Sequence, residues 1–538
     1  MGFMHISKRV LSLSSAIVLG LTVSSCSNNA STQEDENAHV ILTHTTEPTT
    51  NLLPAMCIDI DCAVILEHIY DGLVRYTHTG EVVFAVASSI ETNDKGKTWD
   101  ITLREDYVFS DGTPVTASSF VDAWNWAANS KNEALSNTAF AIIEGAEDED
   151  EEHLSGLNIV SDHEFTVTLV EPNMEFTSIL GDVFFFPLPQ SALTDSESMN
   201  KQGVSPISNG TYVVQEWKNN EYIRLVPNAL YRGGKATKNQ GVLFKIYSDD
   251  TSIYNDLIAD KLDLVYSIPL DFISVLEKDL GNRTVNRTGS VAQSIAIPYY
   301  LPHFSGEEGR LRRQAISMAI DRDEICTQLF SATRSPASDF VPAAIPGHTD
   351  SVAGSEVLSL NVEKAKDLWK QANEISPWGD STFEIAYNAD FNAHKAWVEA
   401  VVNQLNNNLD MNAQPKAYAQ FEKLQDDMFN KALTSSVRLG WQVAYPSIYT
   451  VLENHKSNSV TNIYEYKNSE FDSVLSSAHA QENVSDRLSG YQKAQEILMK
   501  DLPIIPLWTE NILGGYSTNV SKILFQWNGV PVYSDIEK

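Results

Sequence analysis

Polar and apolar positions alternate from Trp99 to Arg104: Trp99, Ile101 and Leu103 on one side, Asp100, Thr102 and Arg104 on the other. That period of two predicts a half-buried strand. Asp111-Gly112 then tolerates a left-handed turn, and Pro114 stiffens the exit. Thr116 can cap a helix carrying Phe120, Val121, Trp124 and Ala128 at helical spacing. The same reading predicts a first strand over His39–Thr43 and a helix over Val64–Leu73 ending near Gly72. It predicts a strand at Phe165–Leu169 and two strands between Asn209 and Leu230 flanking a turn at Lys218–Asn220. Leu311–Ile320, Glu363–Ala372, Lys395–Leu409 and Ser485–Lys500 read as helices, and Phe383–Tyr387 and Leu502–Trp508 as strands. Ala413–Tyr418 returns as a strand that Pro415 confines to an edge or a late start. Strand, helix and strand from 383 to 418 predict a βαβ unit and a partly parallel sheet. Without internal repeats or low-complexity linkers, the body reads as intertwined domains.

The N-terminus has a different texture. Lys8 and Arg9 precede an apolar run from Val10 to Val23, too short to span a membrane comfortably, which predicts a removable export signal. Val23-Ser24-Ser25-Cys26 resembles a bacterial lipobox, which implies cleavage before Cys26 and lipid on its sulfur. Residues 26–37 then form a flexible tether, and the only membrane contact is through that lipid. In an exported chain a Cys57–Cys62 bridge is favoured over two free thiols; it closes a six-residue ring and contributes about 2 kcal/mol. Cys326 lies on an apolar helical face and reads as a buried, inert thiol.

Composition narrows the function. The formal charge of −33 becomes −35 when Lys8 and Arg9 leave with the signal. Such a surface excludes nucleic-acid binding, which needs Lys and Arg against phosphate. The acidic run 147–152 reads as a solvated loop. The 12 histidines lack metal-site spacing, and no calcium-loop series follows Asp59 and Asp61. There is no nucleophile elbow, zinc-protease helix, phosphate loop or dinucleotide fingerprint. The expectation is a protein that captures a ligand without catalysis, cofactor or metal.

Eight segments in order carry a resemblance: 64–74 (VILEHIYDGLV), 98–126, 206–217 (PISNGTYVVQEW), 310–325 (RLRRQAISMAIDRDEI), 362–369, 440–446 (GWQVAYP), 462–475 and 501–508 (DLPIIPLW). Together they resemble the solute-binding proteins of peptide ABC importers, the family 5 oligopeptide- and dipeptide-binding lipoproteins. The resemblance implies an α/β, two-lobe periplasmic-binding-protein-like fold (type II, cluster C) with mixed sheets and an extra inserted subdomain. Lobe one would hold 38–75, 201–303 and 509–538, with 76–200 inserted, and lobe two would hold 304–508. Strands near Ile295–Leu301 and Ile504–Gly514 would form the hinge.

It further implies an exported receptor on the outer face of the cell membrane, monomeric. It would close around an oligopeptide and deliver it to permease and ATPase subunits. Gly440, Trp441 and Gln442 would line the ligand strand with Tyr445 beside them, and Met56 to Ile60 would form a rim in the first lobe. Tyr266 and Trp508 would be aromatic walls, although core packing competes for both. Two departures stand out. Ser208-Asn209 replaces a small Thr-Gly pair, and Ala444 stands where oligopeptide binders carry an aspartate for the ligand's α-amino group. A methyl group cannot pair with an ammonium, so N-terminal anchoring is expected to be lost or displaced. A surface lipoprotein without transport duty, or the same fold with a non-peptide cargo such as an oligosaccharide, remains the alternative.

Overall fold

The computed structural model describes residues 38–538 except 49, 147–152, 235, 390 and 391. The expected signal, Cys26, the tether and the acidic run therefore lie outside the described residues. Strand β1 (Ile41–Thr45) leads to helix α1 (Ile60–Ile69). The helix starts earlier than its apolar run suggested because Asp59 caps it, accepting the Cys62 amide at 2.8 Å. It stops at Tyr70, short of the expected Gly72. The chain then enters a separate block: β2 (Ala87–Glu91), β3 (Thr98–Leu103), α2 (Ala117–Ala128), β4 (Leu157–Ser161) and β5 (Glu164–Thr168). These strands form an antiparallel sheet in the order β2-β3-β5-β4. Trp99, Ile101 and Leu103 are buried as the alternation required, and Gly112 takes φ +86° in the turn. Trp124 of α2 packs edge-on against Phe165 and Phe185, with centroids 5.8 and 5.5 Å away.

The chain returns through β6 (Tyr212–Lys218), β7 (Tyr222–Pro227) and β8 (Val242–Ile246). They complete a sheet ordered β1-β8-β7-β6, in which only β1 and β8 run parallel. The Ser208-Asn209-Gly210 segment explains itself here. Asn209 clasps the main chain of Asp71, accepting its N–H at 3.1 Å and donating to its carbonyl at 2.9 Å. A Cβ on Gly210 would stand 2.4 Å from the Ile69 carbonyl carbon.

Beyond β9 (Leu264–Val265), the chain builds β10 (Thr284–Ala296), α3 (Gly306–Met318), β11 (Arg334–Pro336), α4 (Val362–Ile375), β12 (Thr382–Asn388), α5 (Asn392–Leu409), β13 (Asn412–Tyr418), β14 (Ser436–Gln442), α6 (Val484–Asp501) and β15 (Ile504–Tyr516). They form a mixed sheet ordered β9-β15-β10-β14-β12-β13, with β11 also on β15. Parallel β12 and β13 joined by α5 are the expected βαβ unit, and Pro415 lies on the sheet's outer strand. The arginines of α3 are structural. Arg313 donates to the Phe304 carbonyl at 2.7 Å and lies 4.1 Å over the Tyr299 ring.

Two large buried cores result. One gathers residues from Ile41 to Tyr266 with Ile512–Ile536, and the β2–β5 block shares it. The other spans Ile295 to Trp508 and takes in Trp527. A smaller cluster contains Leu257, Leu276 and Leu513. Strands β10 and β15, antiparallel partners, both run from one large core toward the other. The first crossing is thus 284–296, earlier than the expected Ile295–Leu301. Among the described residues no helix is long and apolar enough to cross a membrane.

Candidate ligand-binding groove

Strand β14 has one fully paired edge and one that opens. Against β10 it pairs from Val437 to Gln442. Against β12 it pairs only at Ser436 and Val437. From Leu439 to Gln442, β10 is its sheet partner and no described strand pairs with the opposite edge, which a further strand could use. At the divergence Arg438 Nε donates to Asn388 Oδ1 at 2.8 Å, and its guanidinium lies 5.1 Å over the Phe421 ring. Gly440 and Gln442 are exposed.

Alternation along β14 places Leu439, Trp441 and Val443 together. They line a cavity of about 40 Å³ with Phe340, His455 and Tyr464. A second cavity, about 30 Å³, is lined by Gln293, Asp339, His348 and Trp508. Both include Ala292, Ser294, Phe340 and Pro342, so the two adjoin, and together they make up the candidate groove. Trp441 is half-buried, and its indole N–H is a buried donor without an acceptor. A group in that position costs free energy until something accepts its proton.

The other expected site residues fall in different surroundings. Trp508 touches the groove but is 2% exposed, packed between Phe330 and Trp397 at 5.3 Å from each. Tyr266 is in the first core; its hydroxyl donates to Asp61 at 2.6 Å and its ring stacks on His44 at 4.2 Å. Burial, then the Asp61 charge, holds that phenol well above its ordinary pKa. Tyr445 is buried, and Ala444 is exposed. Cys57 and Cys62 are disulfide-bonded with their Cα atoms 5.8 Å apart. Met56 is half-buried, while Ile58 and Ile60 are 62% and 57% exposed, so the ring presents an apolar rim on the first core. Among the described residues no cluster of three metal-ligating side chains occurs.

Two residues escaped the sequence reading, whose rim over Met56 to Ile60 already took in Ile58. Arg438 could have been found, since it shares a strand face with Gly440 at period two. Asp339 had no signal, because SPASDFVPAAIPG (335–347) reads as irregular loop.

Two cores joined by paired strands, with a part-open strand edge lining a groove, define a two-lobed solute-binding protein. Residues 81–462 match the model of the bacterial extracellular solute-binding proteins, family 5 Middle. The chain belongs to that family. It is similar to the periplasmic murein peptide-binding protein MppA of Escherichia coli, 28% identical over 484 residues, 87% of either chain. It is also similar to the probable deoxycholate-binding periplasmic protein YgiS of Escherichia coli, 27% identical over 469 residues, 84% of either chain. In structure it overlaps the unliganded open form of the MppA murein tripeptide-binding protein with a TM-score of 0.81. That match is 24% identical and covers 93% of this chain and 97% of that one.

Proposed function

We propose that the chain is a lipid-anchored, exported receptor that captures oligopeptides between two closing lobes and delivers them to the permease and ATPase subunits of an ABC importer. The lobes are 38–75 with 201–303 and 509–538, carrying the inserted 76–200, and 304–508. The observation that supports a peptide is the edge of β14 at Leu439–Gln442, beyond the point where β12 stops pairing with it. An extended peptide adds its own amides to such an edge, with affinity from main chain and selectivity from the Trp441 groove. A sterol ligand has no amide ladder to offer, so the edge favours a peptide over a bile acid. Arg438 gives that strand a cation for a ligand carboxylate, and Ile58 and Ile60 supply an apolar contact from the first lobe. Closure follows when the ligand makes contacts to both lobes that the separated lobes lack.

The test is mass spectrometry of small molecules carried by protein purified without denaturation, paired with thermal melting in a peptide mixture. Copurifying peptides and a raised Tm are expected. Protein carrying only non-peptide solutes, with a melt that peptides leave unmoved, would overturn the reading.

A further inference from the structure

The segment Ser338–Ala343 lines the groove, and Asp339 within it is 3% exposed. Its Oδ1 accepts the Val341 N–H at 2.8 Å. Its Oδ2 is buried and receives no hydrogen bond. The nearest cation is His348, whose Nδ1 stands 3.2 Å from Oδ2. That nitrogen also faces the Val341 carbonyl at 2.9 Å, the better-formed bond, and Nε2 faces Asp350 at 3.0 Å. Burial pulls the imidazole down, but the facing Asp339 and Asp350 carboxylates and the Val341 carbonyl outweigh it and hold the pKa at about 9. One imidazolium therefore faces two carboxylates, and burial, which raises the Asp339 pKa, leaves that carboxyl short of a full cation partner of its own.

The position of that oxygen matters. The Asp339 cavity adjoins the one behind Trp441, sharing Ala292, Ser294, Phe340 and Pro342 with it. The groove thus holds an orphaned donor, the Trp441 N–H, and an orphaned acceptor, Asp339 Oδ2. A ligand carrying a carbonyl and, beyond it, a cation would satisfy both. Desolvation raises the strength of such a pair provided that hydrogen bonds complete it.

We propose that Asp339 receives a cation carried by the ligand, an ammonium or guanidinium on a basic side chain, so that the groove selects peptides containing Lys or Arg. The proposal rests on the peptide reading and names the ligand chemistry of that site. The overall negative charge assists by attracting cationic ligands.

The experiment is calorimetric titration with N-acetylated alanine tetrapeptides carrying Lys at position 2, 3 or 4, each beside its norleucine twin. A third set carries norleucine with a free amino terminus. At least one Lys peptide is expected to bind about tenfold or more tightly than its twin. Asp339→Asn should abolish the difference and Asp339→Glu should retain part of it. Equal binding of Lys and norleucine twins by the unaltered protein overturns the proposal without any variant, as would a preference that survives Asp339→Asn. An Asp339-dependent gain confined to the free amino terminus overturns the side-chain assignment and makes the α-ammonium the cation. If no peptide binds at all, the peptide reading fails and this proposal with it; binding without discrimination sinks this proposal alone.

Discussion

Arg487 on α6 of the second core holds Glu175 of the first, its Nε 3.1 Å from the carboxylate, with both side chains only about a tenth exposed (11% and 10%). The Tyr491 hydroxyl reaches the same oxygen at 3.1 Å. Beside them is a cavity of about 460 Å³ lined by Trp99 and Met174 from one side and Pro446, Ile448 and Leu488 from the other. Removing one partner of a buried pair strands the other without compensation. Arg487→Met should therefore lower stability by about 3 kcal/mol in chemical denaturation, whereas Arg487→Met with Glu175→Gln should lose markedly less. An equal loss in both variants would mean that packing, and not charge, holds the contact.

Trp441→Phe preserves the apolar wall and deletes the orphaned donor. Peptide affinity should fall by up to about tenfold, the range of one hydrogen bond, and Trp441→Ala should fall further. Calorimetry on both variants reads the difference, and an unchanged Trp441→Phe would show that the ring alone contributes.

Opening the Cys57–Cys62 ring by serine substitution should cost about 2 kcal/mol in the loop-entropy picture. Because the ring braces Ile58 and Ile60, ligand affinity should drop as well. Melting curves and titrations of the double-serine variant check the two effects separately.

His455 is buried and meets the Tyr464 hydroxyl. Burial lowers its pKa to about 3. The unfolded chain takes up a proton below about pH 6.5 that the folded chain refuses, so this group leaves stability intact above that pH and removes it as pH falls. The loss should reach about 3 kcal/mol between pH 6.5 and 4. Denaturation at both pH values, compared with His455→Gln, should show a flatter acid limb in the variant.

Ala444 is exposed just beyond the end of β14. N-acetylation of a bound peptide should change its affinity by less than about threefold, well under the loss expected when a charge-assisted bond is deleted. A large loss on acetylation would show that an acid elsewhere anchors the amino terminus.

Local chemistry was legible from the residues themselves. Pro415 announced an outer strand because it cannot donate to a neighbour, and the Trp99–Leu103 alternation fixed which side faces inward. Helix α1 was misplaced because its start depends on Asp59 as a cap and not on the apolar run that follows. The crossing of β10 was expected too late, since where a strand leaves one core for another depends on partners hundreds of residues away. The divergence of β12 from β14 is likewise tertiary: nothing in VRLGWQ marks where its neighbour departs. Trp441 was singled out through the family motif, but the buried, unpaired state of its N–H was not legible.

Residues 525–538 tie the two cores together. Phe525, Tyr533 and Ile536 complete the first core, while Trp527 inserts into the second against Tyr76 at 5.8 Å. Lys538 Nζ donates to the Val40 carbonyl and to Asp263, both at 2.8 Å. Both cores therefore draw on residues 525–538, which return to elements near the opposite end of the described residues. A variant cut after residue 519 keeps the β2–β5 sheet, whose strands pair among themselves, but should lose the sockets of Phe525 and Trp527 and melt at a lower temperature.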